Sequence, residues 1–447
     1  MPEATLSFDH VLEALNRGAA GFRARTRLLP IGGSGDKVFP PTFGDEIPMR
    51  IPEEQPDGSI AYRDLRTKYA VEDRRIEGQT RLCVLLDSVA SQANRFEEAL
   101  QRAWDESTLS FPMVRVDFTK ETSDAPEEDL STMGGDGYLT TLEAPHRLSD
   151  ALLRDSLLDG VRFRASDVGR ALTEAAPHNA TAIYKHCPTA LVFGMWDSTG
   201  PKGGQGAKFQ RALVSEIVGV SVAFGRKSAS RIDPAGIELQ AGPIFMAKDD
   251  QEEWTLDAKA AATKNKQPIP FSRKGKADAG KPSTINHGNI APSLDEIAGG
   301  VTVDYAEQIT VLSLPALRRL RFPAALDGKL LESGARKEAE TAARGALASL
   351  ALAAVALQRV EGFDLRSRCA FVPDGPLRFQ LVDRDGGEQG PFELSPENAA
   401  KLVESALARA KKHGFGWSGE AIDLTPAPKL VELIRRSRRV AARGDEE

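Results

Sequence analysis

The sequence predicts an α+β protein, and three observations carry that expectation. Short apolar runs at Leu82–Leu86 and Ala190–Trp196 each lead into a stretch read as a helix, and Val301–Leu314 alternates like a strand. Glu338–Gln358 is alanine-rich and apolar enough on one side to be a core helix. A chain of 447 residues has room for two or three modules, or for one domain with large insertions. Its 41% hydrophobic and 27% charged residues are those of a soluble globular protein, and a net charge of -6 confines any polyanion-binding surface to a local patch. Cys83, Cys187 and Cys369 lie far apart and form no CxxC pair, so a reduced, cytoplasmic chain without a structural zinc site is expected. No apolar run is read as reaching membrane-span length, and the start MPEATLSFDHVLEALNRG has no signal-peptide core.

In chain order, Arg23, Arg25 and Arg27 alternate as on one face of a strand. The following GGSGDKVFPPTFG excludes regular structure and displays Lys37 on a loop. Residues 44–78 look extended, with a hairpin turn at Pro56-Asp57-Gly58. After the first apolar run, Asp87 or Ser88 can cap a helix whose Val89, Phe96, Leu100 and Trp104 face the core. Gln92, Asn94 and Arg95 are then left to neighbouring faces. Residues 106–145 read as an irregular, acidic surface excursion. APHRLSDALLRDS continues as a helical pattern through Leu148, Leu152 and Leu158, with His146 and Arg147 at its start. No Ser or Cys nucleophile motif accompanies that histidine, so no general base is assigned.

The stretch His186–Val222 is the centre of the functional argument. Ala190–Trp196 reads as a buried strand, and Gly200, Gly203, Gly204 and Gly206 then form a loop carrying Lys202 and Lys208. From Ala207 the spacing of Phe209, Leu213, Ile217 and Val220 predicts a helix, with Lys208 and Arg211 near its first turn. Strand, loop and helix N-terminus would together favour a phosphate. A nucleotide P-loop is excluded, because Gln205 stands where the second glycine belongs and Lys208 is followed by Phe209. The dinucleotide fingerprint fails as well. His186 and Cys187 read as a buried pair, not metal ligands.

Residues 226–300 lose periodicity and collect Lys259, Lys264, Lys266, Arg273, Lys274, Lys276 and Lys281. This is a long basic loop or hairpin, serving either as a solvated linker or as an arm on a polyanion. Arg318, Arg319 and Arg321 cluster further on, RSRCAFVP is a strand containing Arg366 and Arg368, and Ser395-Pro396-Glu397 starts a helix that Gly414 stops. A basic helix from Pro428 ends the chain, and no internal repeat is found.

DSVASQANRFEEAL, APHRLSDALLRDS, HCPTALVFGMWDSTGPKGGQGAKFQRALVSEIVGV and FDLRSRCAFVP together resemble the backbone RAMP subunit, of the Cas-seven family, of type I-G (formerly I-U) CRISPR surveillance complexes. Ser91-Gln92 with Arg95 is similar to the Ser-Gln pair that opens the first palm helix of that family. The resemblance implies an RRM-like, ferredoxin-like palm (1–105, 186–225 and 301–447), a finger insertion (106–185) and a protruding thumb (226–300). It also implies a role: copies stack along a CRISPR RNA beside a large subunit and a Cas-five/Cas-six-like subunit, while target DNA pairs with the guide. Sequence reading is then delegated to base pairing, and the protein grips backbone. Lys37, Arg95, Lys202, Lys208 and Arg211 would neutralise phosphates; Ser91, Gln92, Asn94, His146, Arg147 and the amides of Gly203, Gly204 and Gly206 complete the RNA-facing set. No catalysis, metal, cofactor or membrane is implied. A ribonuclease using a loop aspartate such as Asp36, as in type III backbone subunits, is the alternative, and an enzyme acting on a small phosphate ligand ranks below it.

Overall fold

The computed structural model describes residues 4–54, 56–126, 128–198, 200, 206–250, 253–272 and 279–442. Helices and mixed sheets alternate along the chain, which makes it an α+β protein. It divides into two compact units. The first holds residues 1–42, 69–223 and 301–433; the second holds 43–68, 224–300 and 434–447.

A ten-stranded sheet organises the first unit. Its path runs Ala4–Thr5, Glu388–Glu393, Arg378–Val382, Gly21–Pro30, Tyr305–Ser313, Leu213–Val220, Gln79–Asp87 and Val71–Ile76. Cys369–Pro373 also pairs with Gly21–Pro30 and carries Phe363–Arg366 as a hairpin partner. In the Gly21–Pro30 strand, Phe22, Ala24, Thr26 and Leu28 are buried while Arg23, Arg25 and Arg27 alternate onto the other face. Period-2 patterning thus sets that strand's orientation, as the arginine spacing predicts.

Two helices cover the buried face. Val89–Asp105 is capped by Ser88, whose hydroxyl accepts from the Ser91 amide, and buries Phe96 and Leu100. Ser333–Glu361 is longer than the predicted Glu338–Gln358 and has buried residues almost all round from Ala339 to Ala356. Its alanines let neighbours approach closely: a Cβ on Gly345 would stand 3.0 Å from the Phe8 ring. This helix is also long and apolar enough to cross a membrane by length and composition. That corrects the expectation of no span-length run; 89% of its most apolar stretch is buried inside the protein.

Several local expectations are overturned. Ala190–Trp196 is largely helical: Thr189–Phe193 forms a short helix buried on every side, and only Met195–Trp196 is strand. A segment enclosed all round shows no periodicity to separate helix from strand. Conversely, the helix predicted from Ala207 is two strands, Lys208–Phe209 and Leu213–Val220. Apolar residues four apart satisfy one helical turn and two strand repeats equally, and here the β-branched Val214, Ile217, Val218 and Val220 join a central sheet position. The pattern from Arg147 breaks into a single turn, the short helix Ala151–Arg154 and the strand Ser156–Leu158. Residues 106–145 are not merely irregular, since Met113–Asp117 and Tyr138–Thr140 belong to a five-stranded sheet completed by Ala421–Pro426, Ser156–Leu158 and Val161–Arg162. The remaining starts and stops follow their caps, including Ser395 before Pro396–Lys412 and left-handed Gly414 after it.

In the second unit, strands Thr42–Glu54 and Ile60–Tyr69 pair across the predicted Pro56-Asp57-Gly58 turn, with the Asp57 carboxylate accepting from Ser59. Residues 224–300 are built on Lys227–Arg231 paired with Ile290–Asp295, plus two minor hairpins. Asp233 knots their base. It accepts from the amides of Gly288 and Ala235 and from His287, which holds its carboxyl down at about 2. Arg273, Lys274 and Lys276 lie outside the described residues.

His186, half-buried at the end of the Thr181–His186 helix, supplies a pH test. Burial, then the charge of Lys185, pushes its imidazole down to about 4 from an ordinary 6.5. The unfolded chain therefore takes up a proton that the folded chain refuses. Stability falls as pH drops from 6.5 towards 4. His186→Gln is expected to flatten that part of a urea-denaturation profile measured against pH; an unaltered slope would remove His186 from the account.

Candidate nucleic-acid interface

The first predicted motif closes on one buried carboxylate. Asp87, fully buried at the end of its strand, accepts from Ser91 Oγ at 2.7 Å, Gln92 Nε2 at 2.7 Å and Arg95 Nε at 2.9 Å. Arg366 Nη2 approaches its other side at 3.5 Å. Helical geometry makes this possible, because Ser91 and Arg95 are one turn apart on the Val89–Asp105 helix and share a face. Arg95 then reaches across with Nη2 to the Leu365 carbonyl at 2.7 Å. From Gln92 the network goes on inward. Its Oε1 accepts from Ser215 and from Gln308 Nε2, Gln308 also donates to Gln358, and Ser215 bonds Thr310. Gln92 is thus wholly buried, which corrects its placement on an exposed neighbouring face. Asn94 is exposed, and Ser91 and Arg95 are half-buried.

A basic and aromatic grouping sits beside this network. Arg366 ends one strand of the Phe363–Pro373 hairpin, and Arg368 follows in its turn with a φ of 59°. The Arg368 guanidinium lies 4.2 Å from the centroid of Phe39, Lys37 lies 5.8 Å from the same ring, and the Phe39 amide donates to the Arg368 carbonyl. Lys37 is half-buried against that ring, and Arg368 is exposed. Asp36 folds back so that its carboxylate fills the space a side chain on Gly32 would need.

Lys208 groups with an aromatic ring, and Arg211 follows three residues on. Trp196 and Lys208 are paired across a two-stranded ladder, Trp196 is half exposed, and the Lys208 ammonium stands 5.0 Å from its ring centroid. Arg211 is exposed; its Nε donates to the Phe193 carbonyl at 3.2 Å, and its two terminal nitrogens make no hydrogen bond among the described residues. Gly194 permits this approach, since at its φ of 82° a Cβ would stand 2.9 Å from the Arg211 amide nitrogen. Gly206 is half-buried at the loop stem, whereas Lys202, Gly203 and Gly204 lie outside the described residues. The site lacks the expected helix N-terminus, because a strand follows the loop.

The predicted residues at 146 and 147 part company. His146 is exposed, while Arg147 is buried and donates to both carboxylate oxygens of Glu97, at 2.6 and 2.7 Å, and to the Gly194 carbonyl. Burial pushes the Glu97 carboxyl up to about 7 despite that partner. Arg147 therefore ties the Val89–Asp105 helix to the chain at Gly194. The alternating arginines are likewise occupied: Arg23 donates to Gln380 and Glu388, Arg25 is bidentate on Glu307, and Arg27 lies 4.5 Å from the Tyr305 ring centroid. The hydrogen bond to Glu307 raises Arg25 above its ordinary value. Phe39, Trp196 and Asp87 escaped the sequence reading. A lone aromatic carries no spacing signal, and Asp87 registered there only as a cap.

Removing the hub has a defined cost. Asp87→Ala leaves Arg95 and Arg366 without their carboxylate and is expected to destabilise by roughly 2–4 kcal/mol, below the figure for fully enclosed pairs because both arginines keep some water. Asn94→Ala, on the same helix but exposed, should stay within about 0.5 kcal/mol. Chemical denaturation of both variants decides between a structural hub and an ordinary cap.

Among known proteins, residues 22–224 match the model of a family described as CRISPR-associated protein GSU0053. No curated protein matches the chain. The matched span takes in Lys37, the Asp87 network from Ser91 to Arg95, Trp196, Lys208 and Arg211, and over that span the chain is similar to a CRISPR-associated family.

Proposed function

We propose that this chain is the CRISPR RNA-binding backbone subunit of a type I-G surveillance complex. One observation carries the reading: Lys208 lies over half-exposed Trp196 at the stem of a glycine-rich loop, and the exposed Arg211, three residues on, has two terminal nitrogens without a hydrogen bond among the described residues. Cationic side chains around a half-exposed aromatic ring suit a single strand, whose phosphates are neutralised while a base stacks. Lys37, Phe39 and Arg368 repeat that combination next to the Ser91–Arg95 helix turn. The similarity to a CRISPR-associated family over residues 22–224, which include all of these but Arg368, supports the reading.

In this proposal the ten-stranded sheet and its helices are an RRM-like palm and residues 226–300 are the thumb. Gln92 and Arg147 position the RNA-facing elements through their buried bonds. Phosphate and shape contacts suffice, because base pairing supplies the specificity. The subunit binds the guide without cutting it, packs against further copies of itself and other subunits of the complex in the cytoplasm, and meets target DNA through the guide.

Size-resolved mixing of the full chain with a CRISPR RNA and with an unrelated RNA tests the role. Multimers that grow with guide length, on intact RNA, are expected; no RNA binding would overturn the proposal, and metal-dependent cuts lost on Asp36→Ala would replace it with a nuclease. Lys208→Ala with Arg211→Ala is expected to weaken binding across sequences and flatten the log-log salt dependence by roughly one to two units. Trp196→Ala should cost about 1–3 kcal/mol of binding while leaving that slope unchanged.

A further inference from the structure

A second concentration of positive charge lies in the first unit, in a cavity of about 610 Å³ between the start of the Ser333–Glu361 helix and the segment following Leu314–Arg318. Arg318, Arg321, Arg336, Lys337 and Arg344 line it against one carboxylate, Glu340. Glu340 is buried and already saturated. Its Oε2 accepts from Arg321 at 2.7 Å and Arg344 at 2.8 Å, and its Oε1 accepts from the Phe322 amide at 3.2 Å. Arg318 and Arg336 are held by carbonyls, of Ala19 and Leu331, which orient them without cancelling their charge. The exposed Lys337 ammonium makes no ion pair among the described residues.

Five cations around one spent carboxylate leave an excess of positive charge in a partly desolvated space. Burial lowers Arg318 and Arg344 below the ordinary arginine value, and the like charges of Arg321 and Arg318 press Arg344 further down. Such a cluster is costly unless an anion joins it. Guanidinium forks suit phosphate oxygens in particular. The volume exceeds the needs of one phosphate, and the cations come from two chain segments on different sides of the cavity.

We propose that this cavity binds a ligand carrying at least two phosphate groups, with the exposed Arg321, Arg336 and Lys337 as its entry contacts and Arg318 and Arg344 as its floor. Neither the glycine-loop residues nor the Phe39 grouping contributes to it, so the site stands independently of the guide-binding proposal. The phosphates come either from a nucleic-acid backbone or from a free polyphosphate.

Calorimetric titration of the full chain with inorganic pyrophosphate tests the site directly. Saturable binding is expected, weakened about tenfold or more in Arg336→Ala with Lys337→Ala and unchanged in Lys208→Ala with Arg211→Ala. Lys337→Ala alone, which removes no ion pair, guards against a folding defect and should give an intermediate loss. A parallel salt titration with single-stranded oligothymidylate separates the sources: a slope lowered by about two units in the Arg336 and Lys337 variant assigns the cavity to a strand backbone, even without pyrophosphate binding. If pyrophosphate fails to bind and the slope does not move, the proposal is overturned.

Discussion

Asp87 is the group on which the arrangement of the first unit turns. A carboxylate taken wholly out of water is tolerable only when its oxygens are met by donors, and here they come from the helix that follows it and from the Phe363–Pro373 hairpin, while Gln92 in turn accepts from the central strands. The Ser-x-x-x-Arg spacing exists because one helical turn brings a hydroxyl and a guanidinium to the same point. Its consequence for function is indirect but strong. The hairpin that presents Arg368 to Phe39 is fastened to the helix by the Arg95 bond to the Leu365 carbonyl.

The outer face of the sheet shows a different use of charge. Arg23 and Arg25 on one strand and Arg74 on another each find a carboxylate, on Glu388, Glu307 and Glu216, so much of the charge that looks basic in sequence is paired. Among the described residues, Arg211, Lys208 and Lys337 instead keep donors without a carboxylate partner. Charge counted along a chain and charge available to a ligand are therefore separate quantities, and only pairing across strands distinguishes them.

Much of the fold was legible because its elements announce their ends chemically. Ser88 and Ser395 cap helices, Gly414 stops one, and Arg23, Arg25 and Arg27 mark a strand face. What failed to read was enclosure. Thr189–Phe193 is buried on all sides and offers no polar face to time its period; Leu213 and Ile217 are four apart, a spacing common to both regular structures. The candidate site read in the same uneven way. Lysine and arginine beside glycines stood out, whereas the aromatic partners Phe39 and Trp196, and the depth at which Gln92 and Arg147 lie, depend on contacts between residues far apart in sequence.

The sheet register bears on how this chain can be inherited and rearranged. Leu213–Val220 is paired along its whole length with Tyr305–Ser313, with Val220 opposite Tyr305, so everything from Ser221 to Asp304 is an excursion between the two partners of one rung. The family match ends at residue 224, inside that excursion, yet Gln308, Thr310 and Gln358, which complete the polar network, all come later. A gene fragment cut at the family boundary would encode half a core. Evolution can lengthen, shorten or replace the excursion while the ladder closes behind it, but the segments flanking it must travel together.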